Sequence, residues 1–270
     1  MKSRFPATRL LRWIRHAALP CLSAISHAVA AELPACSRPF SLAFHDHGMV
    51  YSKATQSGID KDMVDELIKR SGCEFRLSVM PRARIWRSIE SGELDFSTSG
   101  ITNEARDKYA GFAWYLFNKY ELLVRKDSGV ASIAEFSSNA QMRIGGIRSF
   151  RYSSRLNQLV DHLAPQGRYI EVADHEQLLA MLKRNRIQAM IIEPFNYSQV
   201  ENRALHVLTR TLDSGDPAVL HGLIMSKAAL PEAEQRKWRA LIDDMRADGT
   251  LLKIMRRYFP ADDAKAYVTF

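Results

Sequence analysis

Apolar residues alternate with polar ones over short stretches of this chain, and between those stretches they recur at helical spacing. Residues 39–45 (PFSLAFH) read as the start of a buried strand, followed by a polar segment, 46–57, without helical periodicity. Ile59, Met63, Leu67 and Ile68 fall on one stripe and predict a helix over 60–71 that Gly72 stops. Phe75, Leu77 and Val79 alternate within 73–80, a second strand. Ile85, Trp86 and Ile89 make a short helix over 82–91, ended by Gly92, and 94–99 is a third strand. This order is the pattern of a parallel α/β sheet. A second series starts with a strand at 120–125 (YELLVR) and a short helix at 133–136. Strands at 143–147, 168–172 and 189–192 then alternate with helices at 152–163 and 175–185. After Asp216-Pro217 come one more strand, 220–226, and two helices, 232–247 and 251–259, separated by Asp248-Gly249. Two such units suggest two lobes with a cleft between them, where ligands settle.

Charge changes the picture mainly at the N-terminus. The formal charge is +8, but residues 1–30 hold Lys2, Arg4, Arg9, Arg12 and Arg15 and no acid. The remainder carries 33 basic against 30 acidic residues, only +3, which weakens a nucleic-acid reading. Residues 17–30 are mostly small and apolar and end in Ala28-Val29-Ala30, so 1–30 reads as a cleavable secretory signal peptide, cut after Ala30 or Ala31. The alternative is an amphipathic helix retained in the mature chain. No run of 18 apolar residues occurs, which excludes a multi-span membrane protein. Export would remove Cys21 and leave Cys36 and Cys73 as a candidate disulfide, against the alternative of two free thiols.

The chain holds no G-x-S-x-G, H-E-x-x-H, Walker A or G-x-G-x-x-G motif. Gly145-Gly146 alone is a poor phosphate cradle. His45 and His47 share a face if extended, but no further ligand completes a metal site. Gly100-Ile101-Thr102 with Arg106 reads either as an anion site or as an ordinary turn beside a solvated arginine. Arg82, Arg84, Arg87, Arg148 and Arg151 read either as a positively charged pocket for an acidic ligand, since strand C-terminal ends face the crevice in open α/β sheets, or as a solvated charge run, the favoured reading for Arg87. Glu193 ends an apolar strand, placed to take a ligand ammonium or to complement a helix dipole. Trp86 and Trp114 fit a ligand face or, more commonly, a core.

Four stretches together resemble the family 3 extracellular solute-binding proteins of polar amino acid ABC transporters. They are Gly58-Ile59-Asp60-Lys61-Asp62-Met63-Val64; Ser91-Gly92-Glu93-Leu94-Asp95 with Ser99-Gly100-Ile101-Thr102, Arg106 and Phe112; Asn185 through Glu193; and Met245 through Thr250 with Tyr258-Phe259. The resemblance spans about residues 38–260. It implies a type II periplasmic binding protein-like α/β fold with two crossover hinges, 116–120 and 217–221. Lobe 1 would comprise 32–115 plus 222–270, and lobe 2 121–216, with the ligand cleft between them. It also implies that Cys36 and Cys73 begin neighbouring strands. Gly100 and Thr102 would offer N–H groups, and Thr102 its hydroxyl, to a ligand α-carboxylate that Arg106 pairs with. Glu193 would hold the α-ammonium, and Arg82 would replace an aromatic over the ligand. Phe150 and Arg151 would lie in the second lobe's ligand loop.

The chain departs from the family pattern in three places. The loop from Gly100 to Arg106 is one residue short, Ser149-Phe150-Arg151 replaces a Gly-Thr/Ser-rich loop, and Glu193 is a methylene longer than Asp. These departures argue against a standard α-amino acid, and the extra arginines point to an acidic or carboxylate-rich, amino acid-like ligand. The resulting expectation is a monomeric periplasmic binding protein with no cofactor, no catalysis and no nucleic-acid partner, serving an inner-membrane ABC permease. The rivals are a dehydratase-like periplasmic enzyme on the same fold, with Glu193 as its acid, and a sensory module for a membrane receptor.

Overall fold

The apolar stripes are covered by two five-stranded sheets. The computed structural model describes residues 32–193 and 203–270. The signal-peptide reading of 1–30 and the Pro194 that follows Glu193 fall outside the described residues.

The first sheet contains β1 (Phe40–Phe44), β2 (Phe75–Val79), β3 (Phe96–Gly100), β4 (Ala110–Asn118) and β10 (Val219–Ser226), in the order β2-β1-β3-β10-β4. The second contains β5 (Glu121–Arg125), β6 (Ile144–Ile147), β7 (Tyr169–Val172), β8 (Ala189–Ile192) and β9 (Thr209–Asp213), in the order β7-β6-β8-β5-β9. Helices α1 (Ile59–Ser71) and α2 (Arg82–Ser91) follow β1 and β2; α3 (Ile133–Ser138), α4 (Ser154–Leu163), α5 (His175–Lys183) and α6 (Arg203–Leu208) belong to the second series. The chain ends with α7 (Glu232–Ala247), α8 (Thr250–Met255) and α9 (Ala261–Ala266). No helix among the described residues is long and apolar enough to cross a membrane.

The strand–helix alternation predicts parallel sheets, and each sheet is parallel only in part. β1 pairs parallel with β2 and β3, whereas β10 runs antiparallel to β3 and β4. Likewise β6 is parallel to β7 and β8, and β5 antiparallel to β8 and β9. The antiparallel strands are those next to the crossings: the chain leaves the first sheet after Asn118, enters the second at Glu121, and returns between Asp213 and Val219. The stretches expected as hinges, 116–120 and 217–221, are therefore partly strand, since Leu116 opposes His221 and Asn118 opposes Val219. Lys119-Tyr120 and Ser214–Ala218 remain as the connections outside the ladders.

In the first lobe Trp238 of α7 packs edge-on against Phe40, Phe75 and Phe96 at 5.0–5.7 Å between ring centroids. This cluster lies under the α1 stripe of Ile59, Met63 and Leu67. β4 is an edge strand whose end is covered by the C-terminal segment, with Phe117 N–H donating to the Tyr267 carbonyl at 2.8 Å. Covering an edge in this way removes a template for unwanted pairing. In the second lobe Gly145 and Gly146 lie within β6, and a Cβ on them would meet Ile187 at 2.5 Å and the Tyr169 hydroxyl at 2.3 Å. Their small size serves packing.

Cys36 and Cys73 form a disulfide, Cα–Cα 5.1 Å, just ahead of the paired strands β1 and β2. A link closing about 38 residues restricts the unfolded chain by roughly 3–4 kcal/mol in the chain-entropy model. A Cys36→Ser/Cys73→Ser double variant is expected to lose that much stability in urea unfolding and to keep its ligand affinity. An unchanged midpoint would show that the link contributes nothing.

Candidate functional site

The C-terminal ends of β1, β3, β6 and β8 meet between the sheets, and Arg82, Arg106, His47 and Glu193 are buried there. Arg82 opens α2 behind Pro81, is only 5 % exposed, and donates from Nη1 to the Thr98 carbonyl at 3.0 Å. Arg106 sits in a 3-10 turn fixed by its own N–H on Asn103 Oδ1 at 2.9 Å. Its guanidinium lies 4.0 Å over the Trp86 ring, an attractive stacking arrangement. It donates from Nη1 to the Ile101 carbonyl at 3.0 Å and from Nη2 to the Ser149 carbonyl at 2.9 Å. The second bond ties the first lobe to the second. Arg82, Trp86, Arg106, Tyr120, Phe150 and Arg151 line one small cavity of about 10 Å³, roughly the room of one water molecule. Ser99 and Ser149 complete opposite walls, and both hold positive φ, 50° and 63°. Such backbone is uncommon outside glycine and clusters at ligand sites. Ser99 is held there by its N–H on the Tyr115 hydroxyl at 2.7 Å and by its own hydroxyl on Asp60 at 2.8 Å.

The electrostatics of this cavity are one-sided. Among the described residues, no carboxylate lies within 4.0 Å of Arg82 or Arg106 (compare the pairs that do form). Burial, with the like charge of Arg82, brings the Arg106 guanidinium down to about 10. Burial also lowers Arg82, against the opposing pull of Asp60. Arg151 is exposed at the mouth and paired with Asp161 at 2.9 Å.

A second buried cluster adjoins the first. Glu193 at the end of β8 faces His47 in the loop after β1, with His47 Nε2 3.0 Å from each carboxylate oxygen. Burial would raise the Glu193 carboxyl, but the charge and hydrogen bond of His47, with His221, bring it down to about 2. It is therefore ionised and accepts, and the ring nitrogen donates. Phe150 packs on His45 and His47 at 5.4 and 5.2 Å, and His175 meets His47 edge-on at 5.4 Å. No three His, Cys, Asp or Glu side chains among the described residues are arranged to hold a metal.

Of the residues singled out from the sequence, Arg82, Arg106, Phe150 and Arg151 come together at the cavity. Gly100 and Thr102 do not line it. A Cβ on Gly100 would come within 2.3 Å of Ile224, and Thr102 is exposed with its hydroxyl donating to Asp107. Glu193 lies beside the cavity, engaged by His47. The sequence reasoning missed Tyr120, Ser99 and the partnership of His47 with Glu193. No local signal announces a pair 146 residues apart.

A family model described as bacterial extracellular solute-binding proteins, family 3, matches residues 39–261. No curated protein matches the chain. Among solved structures, EhuB in complex with hydroxyectoine superposes with a TM-score of 0.71 at 19 % identity, covering 85 % of this chain and 91 % of that one. The arginine-, lysine-, histidine-binding protein ArtJ of Geobacillus stearothermophilus gives 0.69 at 16 %, covering 82 % and 95 %. The GluR0 ligand-binding core of Nostoc punctiforme in complex with L-glutamate gives 0.68 at 13 %, covering 82 % and 99 %. At these identities the likeness concerns the fold.

Proposed function

Because the chain belongs to the bacterial extracellular solute-binding proteins of family 3, we propose that it captures a small, acidic, amino acid-like solute in the periplasm and delivers it to an inner-membrane ABC permease. The observation that carries this reading is the pair of buried guanidinium groups, Arg82 and Arg106, facing one cavity without a carboxylate partner among the described residues. A buried unpaired cation costs several kcal/mol, and an anionic solute recovers that cost. Relatives of this fold hold solutes of quite different charge: arginine, lysine and histidine in ArtJ, hydroxyectoine in EhuB, L-glutamate in the GluR0 core. The side chains at the cleft therefore choose the ligand, and here they are arginines.

Capture works by closure about Lys119-Tyr120 and Ser214–Ala218. Closing removes water and lowers the local dielectric, which strengthens each ion pair to the solute. Arg106 takes part in both events, since it reaches from the cavity to the Ser149 carbonyl of the other lobe. Tyr120 sits in one crossing and also lines the cavity, so solute contact and hinge position act on one residue. No bond is made or broken in this cycle.

A thermal-shift panel of the twenty amino acids, small dicarboxylates, opines and polyamines tests the reading. A solute at a hundred times its Kd stabilises the folded state by about 2.7 kcal/mol, and that shift is expected from an acidic compound. A folded protein that answers only polyamines, or nothing, overturns it.

A further inference from the structure

The acid that the family resemblance sets aside for a ligand ammonium is already engaged in this chain. Both oxygens of Glu193 lie 3.0 Å from His47 Nε2, and the pair is closed over by Phe150 and His175. The neighbouring cavity carries Arg82, Arg106 and Arg151 on its walls and, among the described residues, no Asp or Glu. An ammonium group brought there would meet two buried guanidinium groups. To reach Glu193 it would have to displace His47, exchanging one buried contact for another with no gain. The anionic half of a solute faces the opposite situation. Two cations, 94–95 % buried and, among the described residues, hydrogen-bonded through their side chains only to backbone carbonyls, gain charged partners. Charge-assisted pairs of this kind are roughly twice as strong as neutral hydrogen bonds.

We propose that the cleft selects a small dicarboxylate without an ammonium group, with one carboxylate on Arg106, the other on Arg82, and His47 standing in the ammonium's place on Glu193. The proposal rests on the solute-binding reading above and narrows its ligand class.

The test is calorimetric titration of the solute-stripped protein with pairs that differ only in the ammonium group: succinate against aspartate, and glutarate against glutamate. At least one diacid is expected to bind tenfold or more tightly than its amino counterpart. In His47→Leu the carboxylate of Glu193 loses the imidazole, and the preference is expected to fall at least tenfold toward the amino acid. Should the parent protein bind aspartate or glutamate as tightly as the diacids, the ammonium-free class is wrong while solute binding stands. Should it bind another solute of the panel but neither member of either pair, the dicarboxylate assignment is wrong. With no binding to any solute of the panel, the solute-binding reading falls as well. The parent-protein comparison decides these points even where His47→Leu fails to fold.

Discussion

Arg106→Met is expected to weaken binding of the solute selected by the panel about thirtyfold or more, while the unliganded protein keeps its stability to within about 2 kcal/mol. The first half follows from losing one side of a buried charge pair, a change that costs about 2–5 kcal/mol in binding, and each 1.4 kcal/mol is a factor of ten. The second half follows from opposing contributions in the empty protein. Burial, with the like charge of Arg82, lowers Arg106 from its ordinary value to about 10, which corresponds to about 3 kcal/mol against its charged form. Against this stand two hydrogen bonds to carbonyls, worth about 1 kcal/mol each, and the stacking on Trp86, about 1 kcal/mol. These nearly cancel, and Met retains the apolar stem against the indole. Calorimetry beside urea unfolding separates the two halves. A variant that loses 4 kcal/mol or more of stability yet binds normally would make Arg106 a structural residue. The disulfide variant should behave in the opposite sense, with lower stability and unchanged affinity.

The parts of this molecule legible in its sequence are those governed by local periodicity. The α1 stripe and the α7 helix were readable because each buries one face and solvates the other. β4 was not readable. Its nine residues are buried on nearly every side, so they show no alternation, and only the ladder to β10 makes them a strand. β9, α6 and α9 escaped for lack of a strong period over so few residues. At the cleft, local sequence left Arg106 and Arg82 open between anion partners and solvated arginines, and only the family resemblance gave them a place there. Trp86 reads as core and is core, yet its face is also the platform for Arg106. Thr102 was chosen by motif position, and its neighbour Asp107 takes its hydroxyl. His47 with Glu193 was invisible because tertiary structure alone brings them together. That pair is also what changes the reading of the ligand.

Acidification is expected to unfold this protein in two stages, because the imidazoles and the carboxylate at the cleft titrate in sequence. Burial, aided by Arg82 and His47 and opposed by Glu193, brings His221 from 6.5 down to about 4. Burial and His47 bring His175 to about 4 as well, and burial with Arg82 and His47 pushes His45 well below its ordinary value. A histidine with a lowered folded-state pKa stays neutral while the unfolded chain takes up a proton. Stability is thus full above about pH 6.5 and falls as pH drops toward 4. For His221, 4 % exposed, the loss is about 3 kcal/mol, and His175 adds to it in the same direction. Glu193, lowered from 4.5 to about 2, follows the carboxylate rule. Its contribution is present above 4.5 and disappears as pH falls toward 2. Urea unfolding at pH 7.5, 6, 5 and 4 should therefore show a steep decline that begins near neutrality, well above the range of ordinary carboxylates. His221→Phe keeps a ring against Tyr120, which lies 5.6 Å from the imidazole, and removes the titrating group. It is expected to flatten the decline between pH 6.5 and 4 by about 3 kcal/mol and to weaken the part below 4 only slightly, since His47 is the larger cause of the lowered Glu193 carboxyl. If the parent protein held constant stability from pH 7.5 to 5, the histidines could not be buried neutral. They would then carry protons in the folded state, and the positive charge at the cleft would exceed what its arginines alone supply.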